Sequence, residues 1–506
     1  MELQELIARF KEYAPHVDTA TIERAYQYSI NAHADQSRAS GEHYFVHCSA
    51  VAESLIELKL DMPTICAGLM HDVLEDTPTT AEQMRKEFGD EITRLVEGVT
   101  KLDRLQFTSH NEAQAENWRK MLLATAQDIR VIVIKLVDRL HNMKTLNYLD
   151  RAKQERIAHE TASLYAPLAH RLGMFRLKSQ LEDLAFQYSH PEEFEDLSKK
   201  VQALTANRET VLASFKSAVE QQLADTNIPH RILARSKSLW SIYSKMQRQK
   251  KPFEEIQDAL GVRIITDTVS NCYALLGIMH TLFKPVTGSF TDYISVPKIN
   301  LYQSLHTTVA GPGGELIEIQ IRTEDMHRTS EYGIAAHWRY KSGEQGRDAH
   351  LEEKLNWLRQ WIEWLQDLQS PREFLESLKT DLELHQVFVF TPAGEVKALP
   401  SGATPIDFAF TVHTDIGMSC VGAKVNNKMV RLDYQLKSGD ICEIQRKKGS
   451  VPKKDWLGYV KTARARSKIR RFLREKGVVA PLPAAKPQTA PSRRDKREQR
   501  RGRPHR

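Results

Sequence analysis

The sequence predicts a multidomain chain: an all-α bundle, then an α/β domain, then a small β-rich module followed by a basic, disordered tail. Three observations carry this. At 506 residues the chain is too long for one core, and roughly 100–200 residues per domain gives three or four. Residues 1 to about 190 keep helical apolar spacing, broken at Asp61-Met-Pro63 and Thr77-Pro78. From about 228 the pattern changes to short β-branched runs such as "ALGVRIIT" and "LIEIQIRT", alternating with helical pieces such as "NCYALLGIMHTLF".

The composition is that of a cytoplasmic protein with no membrane role. No apolar run approaches the ~18 residues a membrane span needs, and "MELQELIARFKEYAP" lacks the apolar centre of a signal peptide. The cysteines at 48, 66, 272, 420 and 442 lack CxxC spacing, so reduced core thiols are expected. Charge is uneven: from Lys461 onward there are 17 Lys+Arg against 3 Asp+Glu, so the net +7 leaves −7 for residues 1–460. The end, "PLPAAKPQTAPSRRDKREQRRGRPHR", has no apolar face and reads as disordered, either simply solvated or touching RNA through its phosphates.

Within the helical half, "HDVLEDT" follows the apolar "TICAGLM". On one helix His71 would stack over Glu75 and Asp72 over Asp76. A charged helix end is the plain reading of that stretch alone. Two more segments change the weight: "RASGEHYFVHCSAVAESL" sets His47 near the start of a helix, and "IRVIVIKLVDRLHNMKTL" sets Asp138 at the end of an apolar run. His47, His71, Asp72 and Asp138 would give two imidazoles and two carboxylates, a mixed set suited to a divalent ion such as Mn²⁺. Glu75 and Asp76 would then hold and deprotonate a water.

This set resembles the HD phosphohydrolases, and "HDVLEDT" with "DRLHNMKTL" is similar to the hydrolase domain of the RelA/SpoT homologues. The resemblance implies removal of the 3′-pyrophosphate from ppGpp and pppGpp, with nucleotide contacts from Arg38, Asn142 and Thr145. Ala39 stands where many relatives carry Lys, and Cys48 where Pro is usual.

Four motifs follow in the α/β half. "RSKSLWSIYSKM" spaces Arg235, Lys237, Ser241 and Lys245 across a turn entering a helix, a cradle for phosphates. "DALGVRII" carries Asp258 and Arg263, "VPKINLYQSLHTTV" carries Lys298, Asn300, Tyr302, Gln303 and His306, and "IEIQIRT" carries Glu318. Taken alone, such cations are as often solvated surface. In order, the four resemble the synthetase domain of the same family, a nucleotidyltransferase-like fold that transfers pyrophosphate from ATP to the 3′-hydroxyl of GDP or GTP. The resemblance implies Mg²⁺ at Asp258, ATP phosphates at Arg235, Lys237, Lys245 and Arg263, guanine stacked on Tyr302, and Glu318 as the base. One stretch departs: Ser289 and Thr291 stand in "GSFTDYISVPK" where bifunctional relatives show Arg and Lys. Loss of two cations beside the acceptor would alter acceptor preference or weaken synthesis.

Between 351 and 384, Trp357, Trp361 and Trp364 suggest a packing stripe on a connecting helix. Residues 386 to 446 read as short strands joined by Gly turns, and resemble a β-grasp-like TGS domain. His413, in "FTVHTDIG", matches a position that meets tRNA in ribosome-bound relatives, or is an ordinary turn partner. Long-form relatives continue into an ACT region; here the basic tail follows instead. The expected layout is 1–155 hydrolase, 156–195 connecting helices, 196–345 synthetase, 346–384 connector, 385–447 TGS, and 448–506 helical remnant and tail. Rival readings are a hydrolase with an impaired synthetase site, and a regulatory module responding to the ribosome and uncharged tRNA.

Overall fold

The computed structural model describes residues 1–103, 128–255, 260–298, 300, 302–335 and 386–477, in two compact units, Met1–His385 and Gln386–Arg506. Asp258, the three tryptophans of the expected connector, and the tail from 478 lie outside the described residues.

The first unit begins with helices α1 (Leu3–Tyr13), α2 (Ala20–Ala32), α3 (Phe45–Glu57), α4 (Met62–Leu69), α5 (Val73–Asp76), α6 (Ala81–Asp103) and α7 (Ile129–Lys144). Local signals set their starts. Asp61 accepts the Thr64 N–H at 3.2 Å with Pro63 in the first turn, and Asp128 accepts the Arg130 N–H at 3.0 Å. The "VIVI" run of α7 is buried on all sides beside α3, α4 and α6, each Ile or Val adding roughly 1.5–3 kcal/mol. This core fixes α3 and α7, the helices that carry His47 and Asp138.

One expectation is corrected here. The helix does not run through "HDVLEDT": α4 stops at Leu69, His71 and Asp72 occupy a turn, and α5 is a separate single turn. The His71 ring takes over the Gly68 carbonyl, Nδ1 donating at 2.9 Å, which ends the ladder and turns the ring inward.

Next come α8 (Arg151–Glu160), a π-helical turn (Thr161–Tyr165), α9 (Ala166–Arg171), α10 (Phe175–Ser189) and the long α11 (Pro191–Leu223). Pro167 cannot donate to the ladder, and the wider turn before it absorbs the gap. The boundary expected at 195/196 falls inside α11.

The sheet of this unit comprises β1 (His230–Ser236), β2 (Leu260–Thr266), β3 (Lys284–Pro285), β4 (Thr291–Asp292), β5 (Leu305–Ala310) and β6 (Leu316–Thr323). Its order is β1-β2-β6-β5-β3 with β4 on β5, and among the described residues β2–β6 is the one parallel pair of this sheet. Helices α12 (Leu239–Gln249), α13 (Val269–Leu282) and α14 (Glu324–Tyr332) complete it. Strand alternation divides the sheet. Val262, Ile264, Ile319, Ile321, Leu305 and Val309 pack on α11 and α13, whereas Arg235, Arg263, Glu318, Gln320 and His306 share the opposite face.

The second unit holds a hairpin of β7 (Gln386–Phe390) and β8 (Val396–Pro400), helices α15 (Pro405–Val412) and α16 (Thr414–Met418), and a sheet ordered β10-β9-β11. Those strands are β9 (Cys420–Val425), β10 (Lys428–Val430) and β11 (Cys442–Arg446), followed by α17 (Trp456–Tyr459) and α18 (Ala463–Glu475). The stretch "PIDFAFTV", read as strand, is helix α15. Its apolar run is buried on several sides, and Thr404 with Asp407 forms a capping box that starts it. Asp407, fully buried, also accepts from the amides of Lys461 and Thr462, which ties α15 to the entrance of α18. All five cysteines are free and buried, and among the described residues no helix is long and apolar enough to cross a membrane.

Candidate metal centre and nucleotide site

His47 from α3, His71 and Asp72 from the turn after α4, and Asp138 from α7 converge; none is more than 8% exposed. Nε2 of His47 lies 3.2 Å from Nε2 of His71, 3.2 Å from Oδ1 of Asp138 and 3.6 Å from Oδ2 of Asp72. Nε2 of His71 lies 3.1 Å from Oδ2 of Asp72 and 3.8 Å from Oδ1 of Asp138. Bonds of roughly 2.1 Å to one ion would set neighbouring donors about 3.0–3.4 Å apart, close to this spacing.

The tautomers support the same reading. Arg38 can only donate, and its guanidinium lies 3.1 Å from Nδ1 of His141, so that nitrogen accepts. Nδ1 of His47, 2.8 Å from the same atom, must therefore be the donor. Nδ1 of His71 donates to Gly68. The His47 Nε2 lone pair thus faces His71 Nε2 beside two carboxylates; burial opposes a proton on His71, but Asp72 and Asp138 hold that ring well above the usual histidine range, and a divalent cation would take the place of this proton. Charge follows suit. Burial opposes ionisation of Asp72 and Asp138, yet His71 holds the first below the usual carboxylate range and Lys135 the second well below it. His141, by burial and by His47 and Arg38, is pushed down to about 3 and stays neutral.

Around this centre, Arg38 donates to Asn142 Oδ1 and to Thr145 Oγ1 at 3.4 Å, and Asn142 Nδ2 donates to Asp138 at 2.6 Å. The three expected nucleotide contacts therefore form one network. Glu75 and Asp76 are exposed on α5, at the mouth of the site.

Sequence reasoning missed three neighbours. Tyr44 donates its hydroxyl to Asp72 at 2.8 Å and Asp76 at 3.1 Å, Lys135 donates to Asp138 at 2.7 Å, and His141 orients His47. Spacing could have found two of them. Lys135 and His141 sit three residues either side of Asp138, on its helix face.

On the polar face of the sheet, Arg235, Gly261, Glu318 and Thr308 lie in register across β1, β2, β6 and β5. Gly261 is required there: a Cβ would come within 2.8 Å of the Glu318 carbonyl. The Glu318 carboxylate accepts from Gln320 at 3.1 Å and lies 3.4 Å from His306 Nδ1 and 3.9 Å from Arg235. Burial would raise it, but His306 and Arg235 hold it down at about 2. Tyr302 and His306 are joined at 2.7 Å, Tyr302 OH to Nε2, so tyrosine, imidazole and carboxylate form a chain.

Next to them is a cavity of about 670 Å³ lined by Arg235, Lys237, Ser241, Arg263 and Tyr302 together with Lys178 of α10. The helix N-terminus there is capped by Ser238, whose Oγ lies 2.6 Å from that of Ser241. Lys245 lies further along α12. Lys298 sits 4.2 Å over the Tyr293 ring, and Gln303 donates to the Ile294 carbonyl, closing the loop before β5. Tyr302 is buried, its ring against Phe175 at 5.2 Å. The α10 contribution and Glu331, which binds both Arg263 and the fully buried Arg322, carry no local sequence signal. In the second unit His413 lies between α15 and α16, not in a strand; its Nδ1 accepts the Asp415 N–H, and the side chain is 64% exposed.

Comparison with known proteins accords with this layout. An HD domain matches residues 25–175, the region found in RelA / SpoT proteins matches 234–345, and a TGS domain matches 387–445. The chain is 48% identical over 469 residues to a GTP pyrophosphokinase of Myxococcus xanthus, covering 92% of this chain and 62% of that protein. It is 46% identical over 475 residues to a guanosine-3′,5′-bis(diphosphate) 3′-pyrophosphohydrolase of Aquifex aeolicus, covering 94% and 67%. To the bifunctional (p)ppGpp synthase/hydrolase SpoT of Escherichia coli K12 it is 46% identical over 463 residues, covering 91% and 66%. The chain thus spans less than two thirds of the first of these relatives. With an HD-type centre suited to a divalent metal, a RelA/SpoT sheet and a TGS module in this order, the chain belongs to the RelA/SpoT family.

Proposed function

We propose that the chain is a bifunctional alarmone enzyme of the cytoplasm. In the helical half it hydrolyses ppGpp and pppGpp to GDP or GTP and pyrophosphate. In the α/β half it transfers pyrophosphate from ATP to the 3′-hydroxyl of GDP or GTP. The observation that carries this reading is the convergence of His47, His71, Asp72 and Asp138, with the two buried Nε2 atoms 3.2 Å apart beside two carboxylates.

His47, His71, Asp72 and Asp138 would hold Mn²⁺, which would supply Lewis-acid activation of the attacking water. The rest falls to side chains of this chain. Arg38, Asn142 and Thr145 orient the nucleotide, Glu75 and Asp76 take the water's proton, and the Tyr44 hydroxyl fixes Asp76 relative to Asp72.

In the second site Arg235, Lys237, Ser241, Lys245 and Arg263 grip the ATP phosphates, and Asp258, outside the described residues, would hold Mg²⁺. Lys298, Asn300, Tyr302 and Gln303 bind the guanosine. Glu318, ionised and tied to His306, accepts the proton of the 3′-hydroxyl. His413 and the basic tail are contacts for uncharged tRNA and the ribosome.

A hydrolase-only reading has one supporting observation. Thr291 lies in register with His306 on the site face, and it is neutral. Incubating purified protein with Mn²⁺ and ppGpp, and separately with Mg²⁺, ATP and GDP, tests both. Turnover in each mixture is expected; turnover only in the first leaves a hydrolase, and none in either removes the proposal.

A further inference from the structure

Cys48 follows His47 on α3 and is fully buried. Its Sγ, a donor atom of His71 and a carboxylate oxygen of Asp72 lie within 4.8 Å of one another, a second convergent group beside His47, His71 and Asp138. The two groups share His71. Because Nδ1 of that ring is bound to the Gly68 carbonyl, the shared atom is Nε2. The centre therefore has two overlapping donor sets: His47 and Asp138 add nitrogen and oxygen to His71 in one, and Cys48 adds a sulfur to His71 and Asp72 in the other.

Hard and soft ions divide between such donors. Mn²⁺ gains little from a thiol, whereas Zn²⁺ and Cd²⁺ bind thiolate strongly and accept four-coordinate sites with three protein ligands and an open position. We infer that Cys48, His71 and Asp72 form a thiophilic-metal site overlapping the hydrolase centre, which takes Zn²⁺ or Cd²⁺ in competition with Mn²⁺. Binding replaces the Cys48 S–H bond and the His71 Nε2–H bond with bonds to the metal and releases both protons to solvent; no electron is transferred. Zn–S and Zn–N bonds of roughly 2.3 and 2.0 Å would set sulfur and nitrogen about 3.5 Å apart, inside the 4.8 Å that bounds this group.

An ion drawn towards sulfur shares His71 and Asp72 with Mn²⁺ but not Asp138. The two ions therefore exclude each other, and zinc acts on the hydrolase as a competitor of its own metal. This inference rests on the Mn²⁺ assignment above, and the experiment separates the two.

The metal-stripped full chain is titrated with Co²⁺, then with Zn²⁺ or Cd²⁺ in competition with Mn²⁺, for the natural sequence and for Cys48→Ala and Cys48→Ser. A near-ultraviolet thiolate-to-cobalt charge-transfer band is expected in the natural protein and absent from both variants. The ratio of Zn²⁺ to Mn²⁺ affinity should fall at least tenfold on substitution. Should either variant fail to fold, the cobalt spectrum of the natural protein still decides, because absence of the band overturns the inference. Mn²⁺ binding with no such band, or with an unchanged Zn²⁺ to Mn²⁺ ratio, removes Cys48 and leaves the hydrolase centre standing. Failure to bind Mn²⁺ at all removes the hydrolase assignment instead.

Discussion

Nδ2 of Asn300 donates to Nε2 of His170 across 3.2 Å, joining the loop before β5 to the last turn of α9. His170 is suited to accept: burial and the charges of Lys178, Lys298 and Arg171 push it down to about 3, so the ring is neutral. The backbone is equally close. Ile334 donates to the Leu172 carbonyl at 3.0 Å, and a Cβ on Gly333 would lie 2.4 Å from that oxygen. Helix α10 then packs on α7 and α8 at one side and on α12 and α14 at the other.

These contacts make the helices between 155 and 195 the candidate route for coupling between the two sites. Saturating the synthetase site with GDP and a non-reactive ATP analogue is expected to slow ppGpp hydrolysis, by a coupling on the order of 1–3 kcal/mol. His170→Ala should diminish that coupling without altering hydrolysis in the absence of ligands. Hydrolysis rates unchanged by the ligands in the natural protein would count against the route.

Tyr44 is the second test. Its hydroxyl spans Asp72 and Asp76, so Tyr44→Phe removes two hydrogen bonds and no ring packing. Loss of such outer contacts costs roughly 10–100-fold in activity or metal affinity. Hydrolysis kinetics of Tyr44→Phe should show that loss with little change in melting temperature; full activity would show that the bridge is not used.

The helical half was legible because its metal-binding residue types are rare inside apolar helices: His47, His71 and Asp138 stand out from runs such as "VIVIKLV". What spacing could not show was the break after Leu69, since the helix pattern continues through Met70 while a side chain, His71, ends the ladder. The same limit explains α15, where "PIDFAFTV" has the apolar density of a strand and only the Thr404–Asp407 cap marks a helix. On the sheet, Arg235, Arg263 and Glu318 could be picked out by motif. Glu331 and the α10 wall of the cavity could not, because they reach the site only through folding.

With Glu318 as the proposed base, the pH response expected of synthesis follows from its surroundings. Its folded value of about 2 lies below the ordinary 4.5, so its ionisation stabilises the fold above the ordinary value. That contribution disappears as pH falls through about 2. Removing the His306 contact with His306→Ala leaves burial less opposed, and the carboxyl should rise. The acid limb of the kcat/KM profile for synthesis is then expected to move to higher pH; an unmoved limb would mean that Glu318 is not the base.

Ser289 and Thr291 are separable. Ser289 Oγ donates to the Val286 carbonyl at 2.8 Å and accepts the Thr308 amide at 3.0 Å, so it fastens the loop to β5. Thr291 is exposed and in register with His306. In an Asp72→Asn background, Thr291→Lys should lower KM for GDP or GTP and leave KM for ATP nearly unchanged. Ser289→Arg should instead destabilise the chain by about 1–2 kcal/mol through the lost hydrogen bonds, read as a lower melting temperature. No change in acceptor KM with Thr291→Lys would place that residue away from the acceptor.

The central claim is that one chain holds two opposing and separate active sites, and reciprocal substitution tests it most directly. Asp72→Asn and Glu318→Gln are each assayed for Mn²⁺-dependent ppGpp hydrolysis and for Mg²⁺-dependent synthesis from ATP and GDP. Asp72→Asn is predicted to abolish hydrolysis and keep synthesis, and Glu318→Gln to do the reverse. Loss of both activities in either folded variant, or retention of hydrolysis by Asp72→Asn, would contradict it.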